Sequence, residues 1–151
     1  MSVFGPVRRN RRGRFVLTLS DGERAVLAQL PADLKALLAD PDDPSLRRLF
    51  PAAYGDDAER SEEFRRLMQA DLVERHAAAL DVMAGTARAT ELSEDEAGAW
   101  LSALNQLRLV LGTRLDVSED DDPARATTPE RQMYYYLGYL QESVVDALSR
   151  A

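Results

Sequence analysis

The sequence predicts a mainly α fold, a bundle of about four long helices preceded by an N-terminal β-hairpin. Four stretches repeat apolar residues at steps of three and four, the spacing of one helix face. One short stretch near the start alternates apolar and polar residues, which is typical of a half-buried strand. The length of 151 residues and the absence of an internal repeat favour one domain. We expect the hairpin in residues 1–20 and the helical bundle in residues 21–151.

The hairpin is predicted from two segments, residues 3–8 and residues 14–19, joined by "RNRRG". Gly13 ends this connection and supplies the backbone freedom that a tight turn needs. In the second segment, Phe15 and Leu17 alternate with more polar neighbours. One face of the hairpin is therefore expected to be buried.

Helix starts are marked by residues whose side chains bind the free N–H groups of a first turn. Two S-x-x-E capping boxes and one Thr-Pro pair occur where apolar periodicity begins. Pro31 interrupts the first periodic stretch, so it either kinks one helix or opens a second. The capping pairs are Ser20 with Glu23, Ser93 with Glu96, and Thr128 with Pro129.

The second, third and fourth helices each carry a predicted buried stripe, named below the second, third and fourth stripe. The second helix is expected from about residue 57 to residue 88, with Gly85 weakening its last turns. The stripes are, in chain order, Phe64, Leu67, Met68, Leu72, Leu80, Met83 and Ala87; Ala97, Trp100, Leu104, Leu107 and Leu111; and Met133, Tyr136, Leu137, Leu140, Val144 and Leu148.

The charge is unevenly distributed along a chain whose net charge is -7. Residues 1–14 hold five arginines and no acid, so the remaining 14 basic and 26 acidic residues give the rest a charge of -12. Such an acidic body is not typical of a general nucleic-acid binder, because phosphate contacts need positive surface. These arginines are expected to pair either with an acidic protein or with the chain's own acidic body, and nucleic acid is the less favoured alternative. The five are Arg8, Arg9, Arg11, Arg12 and Arg14.

Several kinds of chemistry are absent from the sequence. There is no cysteine, which excludes disulfides and thiolate sites, and His76 is the single histidine. His76 lies beside the second stripe, where a packed side chain is the expected role. The acidic residues 116–123 lack the Gly and Glu that an EF-hand requires at its fixed positions. We expect no catalytic residues, no metal, no cofactor and no enzymatic activity.

No stretch approaches the roughly 18 to 20 continuous apolar residues of a membrane helix. The first residues also lack the apolar region of a signal peptide. These observations predict a cytoplasmic protein without a membrane partner.

Two further groups of residues allow alternative interpretations. Asn105 and Arg108 border the third stripe. Either Arg108 forms a structural ion pair with an acid on a neighbouring helix, or Asn105, Arg108 and Arg114 bind a ligand. Tyr135 and Tyr139 lie one helical turn apart on a face next to the fourth stripe. This face is either packed inside the bundle or forms a protein interface, because tyrosine is favoured in interfaces.

Residues 47–72, 100–115 and 134–148 together resemble an actinobacterial family that is catalogued as a domain of unknown function. Genes of that family typically lie beside the gene for the ClpS protease adaptor and near a JAMM-type metallopeptidase. The family includes an actinomycete oxidative stress regulator that uses a cysteine pair and cooperates with a sigma factor. The resemblance implies a regulatory, transcription-associated role, but the cysteine switch has no counterpart in this chain.

Three functional hypotheses follow. The first is a non-enzymatic regulatory module that binds another protein, such as a transcription component. The second is an accessory factor of the Clp/JAMM proteolysis pathway, which only the family's gene neighbourhood implies. The third is a helical bundle that binds a small ligand through Asn105, Arg108 and Arg114. A homodimer through the aromatic helix or the hairpin edge is compatible with each of them.

Overall fold

The computed structural model describes residues 5–40, 42–50, 62–116 and 128–150. These ranges contain three short strands and four α-helices, so the predicted mainly α fold with an N-terminal hairpin is confirmed. A 3₁₀ helix covers Pro44–Leu46. The other elements are β1 (Val7–Arg9), β2 (Phe15–Leu17), α1 (Asp21–Leu37), α2 (Glu62–Thr86), β3 (Glu91–Leu92), α3 (Glu94–Leu115) and α4 (Pro129–Ser149).

The strands form one antiparallel sheet in the order β1-β2-β3. Val7 lies opposite Leu17, and Phe15 lies opposite both Arg9 on one side and Leu92 on the other. Gly13 adopts φ +77°, in the left-handed region that side chains rarely enter, which confirms its role in the turn. The strand β3 was not predicted, because two residues are too few to show a period of two.

The helix starts were predicted correctly. Ser20 with Glu23 and Ser93 with Glu96 both form complete capping boxes, and Thr128 caps α4 with Pro129 in its first turn. The first periodic stretch is one helix, and Pro31 lies buried inside it. The alternative of a second helix opening at Pro31 is therefore wrong.

One apolar core joins the sheet to the helices. Trp100 and Phe15 are its largest fully buried side chains, and Leu92 of β3 is also fully buried. The indole N–H of Trp100 donates to the Thr86 hydroxyl at 2.7 Å, and that hydroxyl donates to the Val82 carbonyl. The polar atom of the central tryptophan is thus satisfied by the end of α2, as buried polar groups require.

The first turns of α2 depart from the predicted stripe. Leu67 is 66% exposed and Met68 is 51% exposed, although both were expected to be buried. Among the α2 side chains that the structure describes, Leu72, Val73 and Ala77 are partly buried against the core, and the fully buried ones begin at Ala79. The predictions for residues 57–61 and for the Phe64 side chain lie outside the described residues. So does the acidic connection after Asp116.

None of the helices in the described ranges is both long enough and apolar enough to cross a membrane.

Candidate functional site

The hairpin is docked onto α4 through the edge of β1. The Ser143 hydroxyl accepts a hydrogen bond from the Val7 N–H at 3.0 Å and donates to the Val7 carbonyl at 3.2 Å. The side chain of Val7 is buried. At Gly5 an added Cβ would lie 2.6 Å from the Ser143 hydroxyl, so the chain approaches α4 closely there. This docking limits the movement of the hairpin relative to the bundle.

The turn of the hairpin is held by the side chain of Asn10. Its Oδ1 atom accepts hydrogen bonds from the backbone N–H groups of Arg12 at 2.9 Å and Arg14 at 3.0 Å. Such a side-chain-to-backbone pattern replaces the ladder bonds that a turn loses. Together with Gly13 it fixes the backbone that carries Arg11 and Arg12, both of which are exposed.

The five predicted arginines do not form one uniform stripe. Arg8, Arg11 and Arg12 are exposed, whereas Arg9 and Arg14 are half-buried. The Arg9 guanidinium lies 5.3 Å from the centre of the Phe15 ring, a cation–π contact. Arg14 pairs with Glu91 of β3, with Nε and Oε2 3.5 Å apart.

The outer side of the hairpin forms a shallow hollow of about 430 Å³. Five of its six lining residues are Asn10 and arginines, and Glu91 is the one acid among them. The Asn10 amide also donates to Glu91 at 3.4 Å, so that carboxylate is shared between Asn10 and Arg14. The hollow therefore presents positive charge on a protein whose net charge is negative.

Arg24 fastens the sheet to the helices, and sequence reasoning missed it. Its guanidinium donates to the carbonyls of Leu17 at 3.2 Å, Leu19 at 3.3 Å, Ala87 at 3.2 Å and Ala89 at 2.5 Å. These carbonyls belong to the end of β2 and to the connection between α2 and β3. Ala87 and Ala89 lie 63 and 65 residues after Arg24, and a local sequence pattern does not indicate hydrogen bonds over such separations.

A second polar contact joins α1 to α4. The Tyr136 hydroxyl donates to the Glu23 carboxylate, which also closes the capping box with Ser20. Burial raises the pKa of Glu23, but hydrogen bonds from Tyr136 and Ser20 outweigh burial and hold that pKa below its ordinary value. Burial, followed by the same hydrogen bond, raises the pKa of Tyr136. Tyr136 therefore stays protonated and acts as a donor.

Arg108 lies between α3 and α4, but its partner is not the acid that the sequence predicted. Its Nη1 atom donates to the Gln141 amide oxygen at 2.7 Å, and its guanidinium lies 5.3 Å from the centre of the Tyr134 ring. At Gly138 an added Cβ would lie 3.2 Å from Arg108 Nε. The missing side chain of Gly138 makes room for the guanidinium, and the Nε atom is buried without a hydrogen-bond partner.

The other two members of that predicted cluster are on the surface. Asn105 and Arg114 are both exposed. Hydrogen bonds from Ser45 lower the pKa of Asp43, and the positive charge of Arg114 adds a smaller contribution. Ligand binding by Asn105, Arg108 and Arg114 stays a prediction.

The buried polar residue in this region is Gln106, which sequence reasoning missed. Its side chain is only 1% exposed, and its amide nitrogen donates to the His76 carbonyl at 3.3 Å and to the Ser102 hydroxyl at 3.4 Å. His76 packs edge-to-face on Phe50, with ring centres 5.7 Å apart. Burial lowers the pKa of His76, so the ring is held in its neutral form.

Tyr135 and Tyr139 lie on the side of α4 that is turned away from the core. Tyr139 is 56% exposed, and Tyr135 is half-buried against Tyr134 with ring centres 5.2 Å apart. The buried residues of the same helix, Leu137 and Leu140, point to the opposite side. An interface role for the two tyrosines stays a prediction.

Within residues 5–40, 42–50, 62–116 and 128–150, no group of three or more His, Asp or Glu side chains is placed to hold a metal ion.

Comparison with known proteins identifies relatives among bacterial regulators. A Mycobacterium leprae protein named for the oxidative stress regulator AosR is 33% identical over 132 residues, which cover 72% of this chain and 59% of the relative. The oxidative stress regulator AosR of Mycobacterium tuberculosis is 34% identical over 94 residues, covering 51% of this chain and 43% of the relative. The chain thus spans about half the length of the curated relatives it matches.

No solved structure gives a significant match to the chain. The family model for the domain of unknown function DUF2017 matches residues 5–148. This match confirms the resemblance that the sequence indicated, while the gene neighbourhood that the resemblance implied stays a prediction. The chain belongs to the DUF2017 family.

Proposed function

We propose that the protein is a non-enzymatic regulatory module that acts in the cytoplasm by binding a protein component of the transcription machinery through its basic hairpin. Relatives named as oxidative stress regulators support the regulatory part of this proposal. The observation that carries the binding part is the exposed hairpin tip. There Asn10 and Gly13 hold Arg11 and Arg12 in a fixed turn with their guanidinium groups in solvent.

Charge favours an acidic protein over nucleic acid as the partner. The segment carries five arginines, but Arg14 is paired with Glu91 and Arg9 is packed on Phe15. The remaining positive surface is small. The rest of the chain carries a charge of -12, which would repel the phosphates of a nucleic acid. A compact acidic patch on a folded protein fits the hairpin tip better, because complementary charges steer association and fix its register.

The regulatory signal in this proposal does not pass through a thiol of this chain. The sequence contains no cysteine, so oxidation of a cysteine pair has no site here. The chain would regulate its partner by binding to it or being released from it. Under this proposal the docked hairpin is a preformed binding element that loses little entropy on association.

We also propose that residues 1–151 form one domain. Phe15 and Leu17 of β2 belong to the same buried core as Trp100 of α3, and Arg24 of α1 bonds to β2 and to the α2–β3 connection. The hairpin is therefore part of the folded body and not a separate arm.

The test measures binding of the purified chain to RNA polymerase holoenzyme of the same organism at several salt concentrations. The double variant Arg11→Ser, Arg12→Ser is expected to weaken binding at least tenfold, and the wild-type affinity is expected to fall with salt. The matched control removes two exposed body arginines, Arg47→Ser and Arg88→Ser, and is expected to bind as the wild type does.

If the wild type, the hairpin double variant and the control variant bind the polymerase equally well, the hairpin is not the contact. No binding of the wild type to the polymerase would overturn the transcription component as the partner. A parallel titration with duplex DNA distinguishes the nucleic-acid alternative, because DNA binding stronger than polymerase binding would reverse the order of preference proposed here.

A further inference from the structure

A cavity of about 510 Å³ lies between the hairpin and the C-terminal end of α4. It adjoins the hairpin tip, because Asn10, Arg11 and Gly13 line it, whereas Arg12 does not. Four guanidinium groups and one carboxylate line the cavity, so its charge is positive. The residues with charged groups are Arg8, Arg9, Arg11, Arg150 and Asp146.

Arg9 is the residue that indicates a ligand. Its guanidinium is held by packing, against the Phe15 ring on one side and beside Gly13, whose added Cβ would lie 3.8 Å from Nη2. Its Nη1 atom is buried and has no hydrogen-bond partner. A buried donor of a charged group without an acceptor is unfavourable, and a missing ion or ligand is one of its standard explanations.

Arg150 lines the same cavity from the C-cap position directly after α4. Asp146, one helical turn earlier, holds the Arg150 Nε with an oxygen 3.2 Å away. This carboxylate orients Arg150 and neutralises one positive charge, while Arg9 and Arg11 add two further positive charges to the lining of the cavity. A bound anion with more than one charge therefore fits the cavity better than a monovalent carboxylate does.

We propose that this cavity binds a small phosphate-bearing molecule whose phosphate group is held by Arg9 and Arg150. Guanidinium groups donate two parallel N–H bonds to phosphate oxygens, and Arg9 and Arg150 both line the cavity. The cavity is larger than one phosphate group, and Val7 and Ala147 add apolar lining to it. Its volume lies in the range of sites for small organic ligands.

Experiment can distinguish this proposal from the proposed partner of the hairpin tip, although Arg11 borders both sites. Arg9 and Arg150 carry the ligand site, whereas the partner contact is tested at Arg11 and Arg12. Removal of Arg150 should leave polymerase binding intact, and removal of Arg12 should leave ligand binding intact.

The test uses inorganic pyrophosphate as the probe, with acetate at equal ionic strength as the monovalent comparison. Isothermal titration calorimetry of the full chain is expected to show one pyrophosphate per chain and no binding of acetate. Arg9→Gln and Arg150→Gln are each expected to raise the pyrophosphate Kd at least tenfold. Arg12→Gln removes the same charge outside the cavity and is expected to leave Kd within about twofold of the wild-type value.

Two results would overturn the site: a wild-type protein that does not bind pyrophosphate, or an Arg9→Gln variant that binds as tightly as the wild type. Circular dichroism shows whether each variant is folded. If Arg9→Gln does not fold, Arg150→Gln decides the question alone, because Arg150 is exposed at a helix end and its loss is tolerated by the fold.

Discussion

Arg24 and the arginines of the hairpin tip show two opposite uses of the same side chain. Arg24 is half-buried, and its donors are bonded to four main-chain carbonyls contributed by the β2 end and the α2–β3 connection. Arg11 and Arg12 are exposed, and within the described part of the chain their guanidinium groups make no hydrogen bond or ion pair. The difference indicates that Arg24 has a structural role, whereas Arg11 and Arg12 keep their donors available for a partner.

The same comparison explains why the hairpin needs Arg24. A three-residue strand pair has too few ladder bonds to be stable alone. Arg24 at the base and Ser143 at the edge hold the hairpin on the bundle. The tip can then present Arg11 and Arg12 without any contribution from them to folding.

The largest effect is expected at Arg24. Arg24→Met removes the donor of four carbonyl groups and is expected to lower the free energy of unfolding by about 3 kcal/mol. Urea denaturation followed by circular dichroism measures this loss. An Arg24→Met loss below about 1 kcal/mol would break the distinction between structural and binding arginines.

A smaller loss is expected when the link between α1 and α4 is removed. Tyr136→Phe deletes the hydrogen bond to Glu23 and is expected to lower the free energy of unfolding by about 1 kcal/mol at neutral pH. Because the Glu23 pKa is below 4.5 in the folded protein, its contribution is present above pH 4.5 and is lost as the pH falls through the lower folded value. The difference in unfolding free energy between Tyr136→Phe and the wild type should therefore become smaller in acid. Urea denaturation at two pH values measures this difference.

The third prediction concerns the one imidazole of the chain. Burial depresses the pKa of His76 below 6.5, so the stability that the neutral ring contributes is present above pH 6.5 and is lost as the pH falls through the folded pKa. Proton NMR of the single His76 ring signal gives this pKa directly. A folded-state value at or above that of the urea-unfolded chain would contradict the buried placement beside Phe50.

Local patterns predicted the local structure well. Capping boxes such as Ser93 with Glu96 and the turn at Gly13 involve residues three or four apart, and they appear in the structure as expected. Contacts between distant segments were not predictable. Arg24 bonds to Ala89 across 65 residues, and Arg108 bonds to Gln141 in place of an acid.

The exposed start of α2 shows a different limit of sequence reasoning. Leu67 and Met68 fit a helical stripe, but a stripe does not tell where the neighbouring helices end. The candidate site was predictable as a basic hairpin. Its division into the exposed Arg12 and the half-buried Arg9 was not, because the division depends on Phe15 and on the position of α4.

The double variant Arg11→Ser, Arg12→Ser is expected to change stability least. It also tests most directly the claim that the hairpin tip binds a partner without contributing to folding. Urea denaturation and polymerase binding are measured on the same protein, beside the control Arg47→Ser, Arg88→Ser. The account predicts an unfolding free energy within about 0.5 kcal/mol of the wild type together with an at least tenfold loss of binding. A loss of more than about 2 kcal/mol in stability, or unchanged binding, would contradict it.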